Sequence, residues 1–379
     1  MTDPTPARAE IIVDLDAIRH NVRTLSALVA PALMMTVVKA DGYGHGLVEC
    51  ARAAREAGAP WLGVATLDEA LTLRAAGDSG RLLSWLTVPG EDYGPAIAAD
   101  VDLTACTVAE LDEIALAAHR AGVEVRVQLK ADTGLSRGGA TMADWGGLVT
   151  HAVTLEAAGT LRVTGVWSHF AASDEQEHPA NDAQEAEFRQ ALAIAVEAGL
   201  RPQVRHLANS AAAILRPSSR FDLVRCGIAS YGLDPAPGRS PDLELVPAMT
   251  ARARLALSKP LDRGAGVSYG HIWVADSDTT VGLVPAGYGD GVPRHAGNRA
   301  EAWVAGRRRP VRGRICMDQF VVDLGGDRPD AGTEVVLFGP GTSGEPTAQD
   351  WAEACGTINY EIVTRIGSSR MPRRYQGGV

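Results

Sequence analysis

The sequence predicts an α/β protein with an N-terminal (β/α)8 TIM-type barrel and a separate, mainly-β C-terminal domain. Up to about Asp234, short apolar runs rich in β-branched residues alternate with amphipathic segments rich in Ala, Leu and Glu, which is typical of repeated β-α units. The Pro- and Gly-rich segment "YGLDPAPGRSPDLEL" follows, and after it the pattern changes to strands and turns. A chain of 379 residues is long enough for a barrel plus a smaller domain.

Eight runs are strand candidates for the barrel. In chain order they are "MMTVVK", "WLGVA", "RLLSWLT", "DLTAC", "VEVRVQLK", "RVTGVWSHF", "QVRHLA" and "DLVRCG". Helical patterns such as "VAELDEIALAAHRAG" separate most of them, which favours a closed barrel. A doubly wound sheet is the alternative, but it would normally have fewer strands and a glycine-rich first turn.

The remaining runs indicate the second domain. They are "MTARARLALSKPL", "TTVGLVPAGYGDG", "EAWVAGRRRPVRGRICMDQFVVDL" and "TEVVLFG". We assign residues 10–235 to the barrel, and residues 1–9 and 236–379 to the mainly-β domain, with the N-terminal strand packing against it.

Composition and charge argue against several classes of function. The formal net charge of -10 disfavours a nucleic-acid-binding surface, and we expect the short basic stretch "GRRRPVRGR" to lie in a β-hairpin. No segment approaches the ~18 apolar residues of a membrane helix, and the N-terminus lacks a signal-peptide pattern, so we expect a cytoplasmic protein with no membrane partner. The five cysteines are scattered without metal-ligand spacing, which predicts reduced thiols and no metal site.

Lysine is scarce in this chain. Only Lys39, Lys130 and Lys259 are present among 36 lysines and arginines. Lys39 and Lys130 follow predicted barrel strands, as do His169 and Arg225, and residues just past the carboxyl ends of barrel strands face the active site. Each alone would most often be a solvated or packing residue, but their shared location indicates a functional site.

An amine at the mouth of a barrel can form a Schiff base, and the widespread cofactor that requires one is pyridoxal 5'-phosphate. The cofactor's phosphate also needs hydroxyl and backbone N–H donors. "HLANSAAAI" places Asn209 and Ser210 at a strand end that opens an alanine-rich helix, and "RCGI" adds Gly227 and Ile228. Considered alone, "ANSAA" is better explained by a simple helix N-cap.

Nine segments together resemble the alanine racemase family. They are "VVKADGYGHG", "KADTGLSRGG", "SHFAASDE", "HLANSAA", "VRCGIASYGLDP", "GVSYG", "VPAGYGDGVPR", "GRICMDQ" and "INYEIVTRIGSSRMPR", and they occur in the family's order. The resemblance implies a pyridoxal-phosphate-dependent barrel and a head-to-tail homodimer whose active sites each take residues from both subunits. It also implies the interconversion of L-alanine and D-alanine, with D-alanine feeding peptidoglycan precursors.

The resemblance implies two bases. Lys39 would hold the cofactor and move a proton on one face of Cα, and burial near arginines should lower its pKa from about 10.4. Tyr269 in "GVSYG" would act on the other face from the partner subunit, and His169 would supply part of the positive charge or hydrogen bonding that a phenolate needs. Arg225 would contact the ring nitrogen without giving up a proton, which disfavours transamination and favours reprotonation.

A further set of residues is implied around the cofactor. Tyr43 would lie at the phosphate, and Arg137 would contact the phenolic oxygen and the substrate carboxylate. Lys130 would carry a carbamate that holds Arg137, the alternative being a surface ion pair with Asp132. The family usually has methionine and glycine at the positions of Leu135 and Ser136.

The C-terminal domain is implied to complete the partner's substrate pocket. Cys316, Met317 and Asp318 of "GRICMDQ" would lie there, with the Met317 backbone amide reaching the substrate carboxylate. Tyr360, also near the phosphate, and Tyr288 would narrow the entrance, which favours a methyl side chain.

Three alternatives stay open. Decarboxylases of the ornithine and diaminopimelate type share the architecture but lack the pairing of "GVSYG" with "GRICMDQ". A broad-specificity or serine racemase is closer, although Lys130 and the missing signal peptide disfavour the periplasmic relatives. A non-catalytic pyridoxal phosphate carrier would be a lone barrel, which the C-terminal domain and Tyr269 argue against.

Overall fold

The computed structural model describes residues 7–367 and 369–377. Residues 1–6, assigned above to the second domain, lie outside the described residues, as do residues 368, 378 and 379. The strands are β1 (Ala9–Asp14), β2 (Leu33–Val37), β3 (Trp61–Val64), β4 (Arg81–Ser84), β5 (Asp102–Ala105), β6 (Val125–Lys130), β7 (Leu161–Trp167), β8 (Val204–His206), β9 (Leu223–Cys226), β10 (Met249–Arg254), β11 (Leu257–Leu261), β12 (Thr279–Val284), β13 (Glu301–Val304), β14 (Arg307–Arg312), β15 (Phe320–Gly325), β16 (Glu334–Phe338) and β17 (Arg373–Gln376).

Helices connect most of the barrel strands and close the chain. The α-helices are α1 (Leu15–Val29), α2 (Lys39–Tyr43), α3 (Leu47–Glu56), α4 (Leu67–Ala75), α5 (Gly94–Ala98), α6 (Val108–Ala121), α7 (Met142–Ala157), α8 (Pro179–Glu197), α9 (Ser210–Leu215), α10 (Ala348–Cys355) and α11 (Asn359–Arg365). Single 3₁₀ turns cover Pro217–Ser219, Ile228–Tyr231, Tyr269–His271, Tyr288–Asp290 and Arg294–Ala296.

Strands β2 to β9 form the barrel predicted from the sequence. They pair in parallel in the order β8-β7-β6-β5-β4-β3-β2-β9. Backbone hydrogen bonds from Asp222 N to Arg205 O and from Arg225 N to Ala208 O bring the β8 and β9 segments together. Each of the eight predicted runs overlaps one of these strands, so the barrel is confirmed and the doubly wound alternative is wrong.

Threonine caps determine where several barrel helices begin. The Thr66 side chain accepts a hydrogen bond from Glu69 N at the start of α4, and Glu69 in turn accepts from Thr66 N, which is a capping box. Thr107 accepts from Glu110 N at the start of α6, and that helix ends at Gly122, which has a φ of 67°. Losing such a cap costs about 1 kcal/mol.

The second sheet has nine strands in the order β11-β12-β15-β14-β13-β16-β10-β1-β17. The N-terminal strand β1 pairs antiparallel with β10, with Ile11 opposite Ala251, and parallel with β17, with Ile11 opposite Arg373. Residue 10, proposed above as the first residue of the barrel, lies within β1, which belongs to the nine-stranded sheet and continues to Asp14.

Two local predictions can be compared with the described residues. The basic stretch forms the antiparallel β13–β14 hairpin, with Val304 opposite Arg307, so the predicted hairpin is confirmed. Among the described residues, no helix has the length and apolar character needed to traverse a bilayer, and no His, Cys, Asp and Glu side chains group as metal ligands.

Candidate active site

A cavity of about 540 Å³ opens at the carboxyl ends of the barrel strands. The structure brings to its wall these predicted site residues: Lys39, Tyr43, Lys130, Arg137, His169, Asn209, Ser210, Arg225, Gly227, Ile228 and Tyr360. The rest of the lining is Val37, Ala40, Ala65, Trp85, Leu86, Gly138, Trp167 and Thr364. Lysine and arginine supply four side chains, and no carboxylate lines the cavity within the described residues. This charge balance favours an anionic ligand.

Lys39 begins a turn of unusual backbone conformation. The next residues, Ala40, Asp41 and Gly42, have φ values of 53°, 54° and 61°, in the left-handed region. This region costs roughly 1–2 kcal/mol for each non-glycine residue, so the turn needs support from outside. The Glu69 carboxylate accepts a hydrogen bond from Ala40 N at 2.6 Å and thereby fixes the backbone from which the Lys39 side chain leaves.

The Lys39 amine lies among cations. Burial, followed by the charge of Arg137, lowers the pKa of this amine, while Glu69 acts in the opposite direction. The amine lies 5.9 Å from the centre of the Trp85 ring and forms no ion pair within the described part of the chain. A lowered pKa increases the fraction of neutral amine that can attack a carbonyl or accept a proton.

Arg225 in β9 is buried and extensively hydrogen-bonded. Its Nη2 donates to the carbonyl oxygens of Ser168 at 2.8 Å and Leu207 at 3.0 Å and to His169 Nδ1 at 3.0 Å. Its Nη1 donates to His206 Nδ1 at 3.0 Å. Burial lowers the pKa of Arg225 to about 9, so the guanidinium stays charged near neutral pH.

These contacts define the state of His169. Because a guanidinium can only donate, His169 Nδ1 must accept, and the ring proton lies on Nε2. Burial, then the charge of Arg225, lowers the pKa of His169 well below its usual value, so the ring is neutral. Of the two contributions expected of His169, the structure supports a hydrogen bond and not a positive charge.

Small residues and tyrosines form a polar recess beside the lysine turn. Ser210 Oγ accepts a hydrogen bond from Gly227 N at 2.9 Å. A Cβ on Gly227 would come within 2.2 Å of the Tyr43 hydroxyl, so only glycine leaves room for that hydroxyl. Asn209 caps α9 through its side chain, as a simple N-cap would. The Tyr43 and Tyr360 ring centroids are 6.3 Å apart.

Lys130 is buried at the end of β6. Its Nζ lies 4.5 Å from the Trp167 ring centre, and burial lowers its pKa. Asp132 Oδ1 accepts backbone hydrogen bonds from Gly134 at 3.0 Å and Ser136 at 3.1 Å, and among the described residues it forms no ion pair with Lys130. Ser136 has a φ of 56°, a conformation that favours the glycine usual in the family.

Of the predicted residues of the C-terminal domain, Tyr360 lines this cavity and the others, within the described chain, do not. These others form a group called here the C-terminal cluster, which is exposed except for the half-buried Cys316 and consists of Tyr269, Tyr288, Cys316, Met317 and Asp318. Tyr288 N donates to Cys316 O at 3.0 Å, and Ser268 Oγ, next to Tyr269, lies 3.3 Å from Cys316 Sγ. Tyr269 is 68% exposed and Met317 54%, so this surface is uncovered in the single chain.

Sequence reasoning missed several polar residues beneath the cavity. Asp102, Gln128 and His206 lie inside the barrel and are 0% exposed. The only signal was a polar residue within a predicted strand, as in "VRVQLK" and "QVRHLA", which does not distinguish a buried side chain from a solvent-facing one. Trp85 and Trp167 were missed as well, although both lie in the cavity wall.

Comparison with known proteins relates this geometry to a family. The family model "Alanine racemase, N-terminal domain" matches residues 13–235, and "Alanine racemase, C-terminal domain" matches residues 248–375. The chain is 55% identical over 370 residues to the alanine racemase of Salinispora arenicola, covering 98% of this chain and 99% of the relative.

Solved structures agree with these matches. The alanine racemase from D-cycloserine-producing Streptomyces lavendulae superposes with a TM-score of 0.97 at 54% identity, covering 99% of this chain and 98% of that one. The Bartonella henselae alanine racemase with covalently bound pyridoxal phosphate has a TM-score of 0.87 at 28% identity, covering 98% and 100%. The resemblance carried by the nine sequence segments is confirmed.

Proposed function

Because the chain belongs to the alanine racemase family and is therefore an amino-acid racemase, an isomerase, we propose that it interconverts L-alanine and D-alanine with pyridoxal 5'-phosphate. The observation that carries the proposal is the Lys39 amine, which has a lowered pKa and lies in a cavity lined by cations. D-alanine made in this way would supply peptidoglycan precursors.

The described residues fit the cofactor. Tyr43, Ser210, Gly227 and Tyr360 surround a recess that would hold the phosphate, and the glycine leaves the space that the Tyr43 hydroxyl needs. Arg225 would face the ring nitrogen as a donor that keeps its own proton. When bound, pyridoxal phosphate supplies an electron sink that makes the Cα proton of an attached amino acid acidic.

Two bases would move the proton at Cα. The Lys39 amine accepts or returns it on one face, as its lowered pKa favours. The partner subunit's Tyr269 acts on the opposite face. His169 is neutral, and its Nε2–H is the atom available to donate to the phenolate and stabilise it.

Each site would be completed by a second copy of the chain. The exposure of Tyr269 and Met317 supports this arrangement, because both are predicted site residues that do not line their own chain's cavity. A head-to-tail homodimer would set the C-terminal cluster of one subunit over the barrel mouth of the other. Tyr288 and Tyr360 would then narrow the entrance and favour a methyl side chain.

We further propose that Lys130 carries a carbamate. Its neutral amine would attack carbon dioxide, forming an N–C bond and releasing one proton to water, which leaves a buried carbamate anion in place of the amine. The absence of an ion pair at Lys130 within the described residues supports this, as does the burial that lowers its pKa. The anion would hold Arg137 in place to bind the substrate carboxylate.

The proposed function is tested by isotope exchange. The protein is incubated with pyridoxal phosphate and either L-alanine or D-alanine in deuterated water, with Cα deuterium followed by NMR and the enantiomers separated by chiral chromatography. We expect deuterium at Cα and an equal mixture of enantiomers from either start. Absence of exchange from both enantiomers would refute the proposal.

Variants separate the two bases. Tyr269→Phe should allow exchange from one enantiomer only, whereas Tyr375→Phe, in β17 of the same domain, should behave as wild type. Lys39→Ala and Tyr269→Phe subunits are each expected to be inactive as racemases. Mixing them should restore racemisation, because a mixed dimer has one site with both bases; failure to restore it would contradict the shared site.

A further inference from the structure

We propose that His206, Gln128 and Asp102 form a positioning relay that fixes Arg225 in the cavity through a one-directional chain of hydrogen bonds across the barrel interior. The inference rests on the proposed function, in which Arg225 faces the ring nitrogen of the cofactor. All three relay residues are 0% exposed, and none of them lines the cavity.

The direction of the chain follows from the chemistry of its first donor. Arg225 Nη1 donates to His206 Nδ1 at 3.0 Å, so the His206 proton must lie on Nε2. His206 Nε2 then donates to Gln128 Oε1 at 2.7 Å, which orients the amide. Gln128 Nε2 donates in turn to Asp102 Oδ2 at 3.2 Å. Every donor therefore points from the cation toward the carboxylate.

Asp102 anchors the far end of the relay. Its carboxylate also accepts from Arg126 Nε at 2.6 Å, Arg81 Nη2 at 2.7 Å and Thr164 Oγ1 at 2.9 Å. These donors come from three different strands, β6, β4 and β7, so the carboxylate cannot move without disturbing the base of the barrel. A chain that starts at a cation and ends at a fixed carboxylate is polarised along its length, which strengthens each bond.

The barrel backbone is built around Gln128. The register of β6 against β7 shifts between Val127 and Gln128, so that Val127 faces Val163 and Gln128 faces Gly165. A Cβ on Gly165 would come within 2.6 Å of Gln128 Oε1. The irregular register and the glycine thus make space for an amide where an apolar side chain would pack in a regular strand.

The consequence for Arg225 is a fixed orientation. The His206 ring stacks on Trp167, with centroids 5.6 Å apart and planes at 4°, and the same indole lies 4.8 Å from the Arg225 guanidinium carbon. The relay sets the imidazole as an acceptor toward Arg225, and the stacking holds its plane. The orientation of the Arg225 guanidinium is thereby fixed, because its Nη1 donates to the bare Nδ1 of the His206 ring.

The first test uses the apoprotein and does not depend on activity. In protein labelled with ¹⁵N at histidine, we expect the NMR signals of His206 to show a bare Nδ1 and a protonated Nε2. In Gln128→Met, which keeps the length of the side chain but removes its amide, the Nε2 signal should shift because its acceptor is gone. A His206 protonated on Nδ1, or on both nitrogens, in the wild-type protein overturns the relay.

The second test uses the holoenzyme. Gln128→Met should lower kcat by on the order of 10-fold or more, as expected for a misplaced contact group, and change the absorption spectrum of the bound cofactor, with KM for alanine moving less. Thr104→Val is the matched control, because Thr104 lies opposite Gln128 on β5 and its buried hydroxyl has no hydrogen-bond partner within the described residues. The control should keep the wild-type kcat and spectrum.

The outcomes are separable. A Gln128→Met enzyme that is less stable but keeps the wild-type kcat and spectrum shows a merely structural network and overturns the proposal. If that variant does not fold, the wild-type histidine signals decide alone. A wild-type protein that shows the expected His206 state but no Cα exchange with alanine refutes the proposed function and leaves the geometry of the relay standing.

Discussion

Replacing Gly227 by alanine would place a methyl group against the Tyr43 hydroxyl. The added Cβ would lie 2.2 Å from the hydroxyl oxygen and 2.8 Å from the ring carbon that carries it. Since non-bonded carbon contacts settle at about 3.5–4.0 Å, the tyrosine must move by roughly 1 Å or more. The Tyr43 ring packs at 5.1 Å from Tyr231 and 6.3 Å from Tyr360, so its freedom to move is small.

The magnitude follows from the cost of overpacking, about 1–3 kcal/mol. The apoprotein can relieve part of this strain by shifting Tyr43 into the recess. The cofactor phosphate would need that same space, so the strain returns when it binds. We therefore expect the affinity of the Gly227→Ala variant for pyridoxal phosphate to fall about 5- to 150-fold, which is the same free energy expressed as a ratio.

The assay is a titration of apoprotein with pyridoxal phosphate, followed by quenching of tryptophan fluorescence, since Trp85 and Trp167 lie in the cavity wall. Gly147→Ala is the control: that glycine lies in α7, and a Cβ there meets nothing within 4 Å. The control should bind like wild type and gain up to about 1 kcal/mol of helix stability. An affinity of Gly227→Ala within twofold of wild type would refute the reasoning.

Three further predictions concern buried charge. Burial lowers the pKa of His45 from 6.5 to about 4, so the unfolded chain binds the proton more readily. The buried, neutral His45 should therefore contribute about 3 kcal/mol to the free energy of unfolding. This contribution is fully present above pH 6.5 and is lost as the pH falls toward 4. When the free energy of unfolding is measured in urea between pH 4 and 6.5, its dependence on pH should be weaker in His45→Gln than in wild type. His119→Gln, at an exposed position, should keep the wild-type dependence, and a His45→Gln slope equal to that of wild type would contradict the argument. The racemisation rate of the wild type should fall in CO₂-free buffer and recover when bicarbonate is added, whereas the rate of Lys130→Met should not change. A wild-type rate that does not depend on CO₂ would rule out the carbamate. The Asp290 side chain is fully buried and forms ion pairs with Arg8 and Arg370, both of which are more than a third exposed. Asp290→Asn should therefore lower the free energy of unfolding by about 1–3 kcal/mol, and an unchanged melting temperature would contradict this.

The barrel could be predicted because each of its strands is marked locally. A run such as "WLGVA" has no polar side chain at any position, which is typical of a parallel strand covered on both faces. The cavity residues at strand ends, such as Lys39 and His169, followed from the same pattern, since the carboxyl end of each strand is set once the strand is known. Tyr43, Arg137 and Tyr360 followed only from the family resemblance. Their roles at the cofactor, and that of Tyr269 in the partner's site, remain predictions.

Other features were not predictable because they depend on distant segments. The run "AEIIVD" indicates a strand, but nothing in it names β10 and β17 as its neighbours. The left-handed turn after Lys39 includes Ala40 and Asp41, residue types that rarely adopt positive φ, and it depends on Glu69. From the sequence alone, Gln128 would be assigned to the solvent-facing side of its strand. Its position inside the barrel becomes evident only from the register of β6, which places it opposite Gly165.

The position of β1 has a consequence for how the chain is synthesised. Its residues leave the ribosome before the barrel strands, whereas β10 and β17 are made only after the whole barrel. The apolar strand Ala9–Asp14 must therefore wait unpaired while the barrel is made, as an open edge that other chains can join. A fragment that starts after the linker would lack the strand between β10 and β17, so the two domains cannot be separated by one cut.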